Sequence, residues 1–270
     1  MRTGPRIRTS TCATPPRLAG AVWNAGRVQQ TISEWLGELA SGEPTPGGGA
    51  AAALMAATGA ALVGMVTELT IGNPRYADHE PTMTAARERA AELRKLAAEL
   101  ADADEAAFGA VIEAYRLPKA TETEKAGRSA AIQQALAGAA RVPLRLAAVS
   151  AEIVGLAESI LDGANVNVLS DVAVAADAAR AALSSAAVNV EVNTSTLTDR
   201  SVAAALDGEL AGHLGAIGRA DRVTAAVRAR IAGPSAASGA SSGASAVPGA
   251  SAVPGASAVP GASAVPGASA

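Results

Sequence analysis

Few side chains in this sequence have the chemistry to act on a substrate. Asp104 falls on the apolar side of a helical stretch, four residues before Phe108 and one turn beyond Leu100. A carboxylate there is either a buried, hydrogen-bonded group or a general base. Lys119 follows Leu117-Pro118 and on its own reads as a solvated loop lysine. Ser170 and Asp171 precede an apolar helical run, where either side chain can cap the helix. Asn189 and Asn193 are four apart and so share one face of an alanine-rich helix. Asparagine lowers helix propensity and needs partners when buried, so by residue type alone the pair is an interhelical hydrogen-bond clamp.

One further stretch bears on chemistry, the turn Pro44-Thr45-Pro46-Gly47-Gly48-Gly49 that opens into the alanine-rich run Ala50 to Met65. Prolines fix φ, and glycines allow close approach of a ligand or another helix. The free N–H groups of a helix start behind glycines can hold a phosphate or carboxylate. The same residues also serve as a plain tight turn for close packing.

Other chemistries find no footing. The chain has one cysteine, Cys12, and two histidines, His79 and His213, far apart in sequence, so no metal site is expected and a reducing cytoplasm is the natural setting. Phosphate-binding loop, dinucleotide fingerprint and nucleophile elbow are all missing. A net charge of −3 supplies no basic face for nucleic acid.

These residues need elements to hold them. Apolar residues make up 49% of the chain, mostly alanine, with one Phe, two Trp and two Tyr, which predicts an all-α bundle of about six to seven closely packed helices. Thr31 or Ser33 caps a short helix carrying Ile32, Trp35, Leu36 and Leu39. The run from Ala50 to about Thr70 is apolar all round, which predicts the central helix, buried on every side. Pro44 to Thr67 is uncharged and long enough to cross a bilayer, but alanine, glycine and threonine dominate it, so no membrane span is expected. Helices follow over Thr82 to Tyr115, Thr121 to about Ala139, and from near Pro143 to Ile160. Another, capped by Ser170 or Asp171, carries Asn189 and Asn193, and the last starts at Thr198 or Asp199 and reaches about Ile231. Residues 1–30 read as a disordered leader and 232–270, with its Ser-Ala-Val-Pro-Gly-Ala repeat, as a disordered tail; 31–231 is the helical domain.

The ordered series is more specific than its members. Pro44 to Gly49, Met65-Val66, Asp104-Glu105-Ala106-Ala107-Phe108, Tyr115 to Lys119, Glu124-Lys125, Arg128, Val142-Pro143, Asn165-Val166-Asn167 with Ser170-Asp171, and Asn189 to Asn193 together resemble the cyclodeaminase/cyclohydrolase family, over roughly Thr31 to Ala229. This family includes the C-terminal half of formiminotransferase-cyclodeaminase and stand-alone methenyltetrahydrofolate cyclohydrolases. The resemblance implies a homodimeric helical bundle in the cytoplasm, no metal or redox cofactor, and a folate substrate, polyglutamylated in the cell. Two reactions are implied: closure of 5-formiminotetrahydrofolate to 5,10-methenyltetrahydrofolate with loss of ammonia, and interconversion of the methenyl compound with 10-formyltetrahydrofolate.

Carried onto this sequence, the resemblance makes Asp104, Lys119 and Asp171 the catalytic candidates. Asp104 would be a base or cation stabiliser, and Lys119 a proton donor or anion partner. Pro46, Gly47, Gly48, Gly49, Asn165, Asn167, Asn189 and Asn193 become substrate-binding candidates, with the glycine turn holding a glutamyl carboxylate or lying bare against the ligand. Ala164 stands where the family pattern leads one to expect glycine, and no formiminotransferase half is present. The competing reading is a non-catalytic helical dimer that binds folate or a protein partner.

Overall fold

The computed structural model describes residues 22–23 and 30–233; the expectations for the remainder of the leader and for the repeat tail lie outside the described residues. The chain divides into two units, Met1–Ile231 and Ala232–Ala270. A short antiparallel pair, β1 (Val22–Trp23) with β2 (Gln30–Thr31), leads into α1 (Ile32–Leu39). Thr31 caps α1 as its residue type predicts: its Oγ1 accepts from Glu34 N–H at 3.2 Å, and the Glu34 carboxylate accepts from Thr31 N–H at 2.7 Å.

Five longer helices follow: α2 (Gly48–Glu68), α3 (Glu80–Arg116), α4 (Glu122–Ile160), α5 (Leu169–Ser195) and α6 (Arg200–Ala232). Helices α2 to α5 form a four-helix bundle. Sequence neighbours pack side by side, and α5 returns to close the square against α2. The small side chains allow this closeness. A Cβ added at Gly59 of α2 would lie 3.0 Å from the Ala175 carbonyl oxygen of α5 and 3.4 Å from Ile153 Cγ2 of α4. Helix α6 lies along α4 and α5, held by Arg219 on Glu158 (2.6 and 2.8 Å), Thr194 on Asp207 (2.8 Å) and Thr224 on Asp177 (3.1 Å).

Three expectations are corrected. The predicted break near Pro143 does not occur. Helix α4 runs unbroken for 39 residues with Pro143 buried inside it. Proline there removes one helical hydrogen bond and costs about 3 kcal/mol, and the apolar contacts of Ile132, Leu136, Leu144 and Ile153 on either side offset that cost. Ser170 and Asp171 are not caps. A 3-10 turn, Val166–Val168, starts α5 earlier than their capping preference suggested, and Asn165 caps that turn by accepting from Asn167 N–H at 3.1 Å.

Nor is α2 buried on every side. Met55, Met65 and Leu69 are 40%, 38% and 50% exposed along its outer face. Among the described residues α2 is the one helix long and apolar enough to cross a membrane, but its inner face packs on three other helices.

Gly59→Val forces a branched side chain against the α5 backbone and is expected to cost roughly 1–3 kcal/mol in chemical denaturation. Gly138→Ala, at an open position within α4, is expected instead to add up to about 1 kcal/mol.

Candidate active site

Helix α2 begins at Gly48, level with Asp104 near the middle of α3, and α3 and α4 continue well past it. The corner of the square that α2 would fill is therefore open, and it forms a cleft of about 390 Å³. The loop Pro44 to Gly49 makes its base. Asp104, Ala107, Phe108, Val111 and Tyr115 of α3 make one wall, and Asn189, Val192 and Asn193 of α5 the other. Leu136 and Ala139 of α4 form the floor. Its size and its mostly apolar lining with a few polar groups suit a small-molecule ligand.

Asp104 is the one Asp, Glu, Lys, Arg or His among the described residues that line this cleft. Its carboxylate sits directly on the Cα of Gly49, where a Cβ would overlap it, and it accepts a hydrogen bond from Ala50 N–H in the first turn of α2. Burial pushes its pKa above the ordinary carboxylate value and the nearby Glu105 adds to the rise, while the Ala50 N–H opposes both. The anion that a glycine-preceded helix start invites is thus already supplied by the protein. A ligand carboxylate at the same place would meet like charge, so the glycine turn is fitted to hold Asp104 and to present bare backbone, not to take a glutamyl carboxylate.

Of the sequence candidates, the fold brings Gly47, Gly48, Gly49, Asp104, Asn189 and Asn193 together around the cleft. Pro46 is buried within the same loop, its peptide bond to Thr45 cis. Lys119 is not brought to Asp104. It is exposed at the tip of the α3–α4 hairpin, beyond the end of α3, and the helical rise from Asp104 to Arg116 alone is about 18 Å.

Asn165, Asn167 and Asp171 lie at the other end of α2, about 30 Å away by helical rise over its 21 residues. Asn165 is occupied there. Its Nδ2 donates to Leu69 O at 2.9 Å, its N–H donates to Thr70 Oγ1 at 3.1 Å, and its Oδ1 takes the Asn167 N–H. It ties the end of α2 to the start of α5. Tyr76 accepts from Val166 N–H at 3.1 Å, and the His79 ring covers Gly163, where a Cβ would overlap it.

Phe108, Val111, Tyr115 and Leu136, which also line the cleft, were not among the sequence candidates, because an apolar residue at helical spacing reads as core. A signal was present, since the chain's single Phe and one of its two Tyr stand within 11 residues of Asp104. Arg128 braces the Tyr115 turn, donating twice to Tyr115 O at 3.0 and 3.1 Å with its guanidinium 5.5 Å from the ring centre. Among the described residues no group of three or more His, Cys, Asp or Glu is placed to hold a metal ion.

A cleft built on a helix start and lined by one desolvated carboxylate can exchange a proton with a ligand group placed beside Asp104. The family model for formiminotransferase-cyclodeaminase matches residues 31–212. The chain belongs to this family. A methenyltetrahydrofolate cyclohydrolase of Methylorubrum extorquens is 44% identical over 203 residues, spanning 75% of this chain and 98% of that protein. The formimidoyltransferase-cyclodeaminase of Mus musculus is 35% identical over 172 residues, which are 64% of this chain but 32% of the mouse protein. Among solved structures, a formiminotetrahydrofolate cyclodeaminase from Thermotoga maritima superposes with a TM-score of 0.67 at 30% identity, covering 75% of this chain and 98% of the other. Every cleft residue falls within the segment that matches the formiminotransferase-cyclodeaminase family.

The raised pKa of Asp104 has a definite sign for stability. The folded state holds this proton more tightly than the unfolded state, so the contribution is present at low pH and lost as pH rises through the folded-state pKa. Asp104→Asn keeps an acceptor for Ala50 N–H without the buried charge. It is expected to melt above wild type at about pH 7 and to lose that advantage at about pH 3, in paired thermal melts across that range.

Proposed function

We propose that this chain is a one-carbon folate enzyme that hydrolyses 5,10-methenyltetrahydrofolate to 10-formyltetrahydrofolate. The observation that carries the reading is the seating of Asp104, a lone desolvated carboxylate facing an uncharged cleft with aromatic residues. The near full-length similarity to the Methylorubrum cyclohydrolase supports it. In this reaction water attacks the cationic carbon between N5 and N10. Asp104 stabilises the cation, takes one proton from the attacking water and returns it to N5 as the C–N5 bond breaks, while the carbinol hydroxyl releases the remaining proton to solvent and leaves the formyl group on N10. The raised pKa suits both transfers. Phe108, Tyr115 and Val192 would cover the flat ring faces.

The folate tail runs along the overhanging α3–α4 hairpin toward Lys119. Lys119 makes no hydrogen bond or ion pair with a described residue and so is free to meet glutamyl carboxylates, one or several. Its place in the reaction is anion binding, and Asp104 alone carries the proton. Closure of 5-formiminotetrahydrofolate with loss of ammonia is the second reading, favoured by the likeness to the Thermotoga cyclodeaminase. It uses the same carboxylate to take the proton from N10.

The working unit is a homodimer. The outer face of α2 carries Met55, Thr58, Ala61 and Met65 and no charged residue before Glu68. Small residues at its middle and methionines toward its ends make it self-complementary across a two-fold axis. A cytoplasmic setting completes the reading.

Two assays on one preparation test the activity. Loss of methenyltetrahydrofolate absorbance on adding protein is the expected result; growth of that band from the formimino compound with ammonia release selects the second reading, and silence in both selects a binding protein. Asp104→Asn should lower turnover about 100-fold or more, whereas Lys119→Met should raise KM and leave kcat near wild type. Met55→Glu places charge on the outer α2 face and should give a folded monomer by light scattering; an unchanged dimer would refute this interface.

A further inference from the structure

The two asparagines on the α5 wall each commit an amide N–H to their own helix and leave the side-chain oxygen unpaired. Nδ2 of Asn189 donates to Ser185 O at 2.8 Å, and Nδ2 of Asn193 donates to Asn189 O at 2.8 Å, each to the preceding turn of its own helix. These bonds fix both amide planes. Each Oδ1 is left without a donor among the described residues, and the two lie one helical turn apart, about 6 Å along α5. On the floor, Pro143 has no N–H to give the carbonyl of Ala139, itself a lining residue. The side of the cleft facing Asp104 thus carries acceptors that no described donor satisfies.

A half-buried acceptor without a partner costs free energy that a ligand donor recovers. We propose that Asn189 and Asn193 read the hydrogen-bond donor edge of the ligand heterocycle, accepting from the 2-amino group and the adjoining ring N–H of the pterin. This deepens the folate reading and rests on it. It also sets the ligand's direction in the site. With the pyrimidine edge held against α5, the opposite side of the pterin, bearing N5 and the one-carbon bridge, faces α3 and Asp104. The asparagines are positioning residues here: they touch the ligand away from the reacting carbon and decide which end of it meets the carboxylate. They also explain a sequence oddity, two asparagines on one face of an alanine-rich helix with no partner on another helix. A clamp between helices would direct the amide nitrogens outward to a neighbour; instead they turn back on their own backbone.

The test compares 5,10-methenyltetrahydrofolate with its analogue carrying methyl in place of the 2-amino group, as ligands of the full-length protein. Wild type should bind the analogue about tenfold or more weaker, the cost of unpaired acceptors. The double variant Asn189→Leu/Asn193→Leu should bind the parent compound about tenfold or more weaker than wild type does and should no longer distinguish the two compounds. Equal wild-type affinity for both compounds overturns the inference while leaving the folate reading intact, and so does a folded double variant that keeps the discrimination. Failure of wild type to bind or turn over either compound removes the folate reading and this inference with it. Should the double variant not fold, the wild-type comparison alone decides.

Discussion

The arrangement depends on one close approach, the carboxylate of Asp104 on the bare Cα of Gly49. Any side chain at position 49 would push α3 away from the start of α2 or drive Asp104 into the cleft. With glycine there, the acid reaches the first turn of α2, finds the Ala50 N–H and becomes desolvated against the protein. The opposing influences leave a carboxylate that is held in place yet easily protonated. An anion bound by several backbone N–H groups would have been a poor base, because such bonds stabilise its charge. A single N–H orients Asp104 without disarming it.

The cleft follows from helix lengths. Helix α2 has 21 residues, and its neighbours α3 and α4 have 37 and 39. A bundle whose members differ so much leaves one corner unfilled at one end, and the unfilled corner is lined by whatever those longer helices carry on their inner faces. The site therefore needs no insertion or long loop. Precision comes from helices braced on one another, as by the Arg89–Glu152 pair between α3 and α4 at 2.6 and 2.9 Å.

Much of this was legible in the sequence. Alanine content and apolar periodicity gave the helical class, and the bounds of α1, α3 and α6 fall within a residue or two of those expected from caps and prolines. Family resemblance supplied the activity. What sequence could not supply was the distribution of candidates between the two ends of α2. Asn165 is as conspicuous as Asn189 in the chain, but one closes a helix end and the other faces open space, a difference made by tertiary neighbours alone. Pro143 misled for a related reason: its local cost is real, and the packing that overrides it is contributed by distant residues. Phe108 and Tyr115 were hidden in the opposite way, because an aromatic residue on an apolar stripe reads as core until the facing helix is found to stop short.

The up-and-down order of the bundle also governs how the site comes into being. Helices α2, α3 and α4 meet through short connections, so their pairing closes small loops and forms readily. The seating of Asp104 on Gly49 belongs to the α2–α3 pair. The α2–α5 contact joins segments more than 100 residues apart and must wait for the rest of the chain. During synthesis α2 and α3 are consequently available to pair before α5 exists, so the contact of Asp104 with Gly49 can form before the cleft has its second wall.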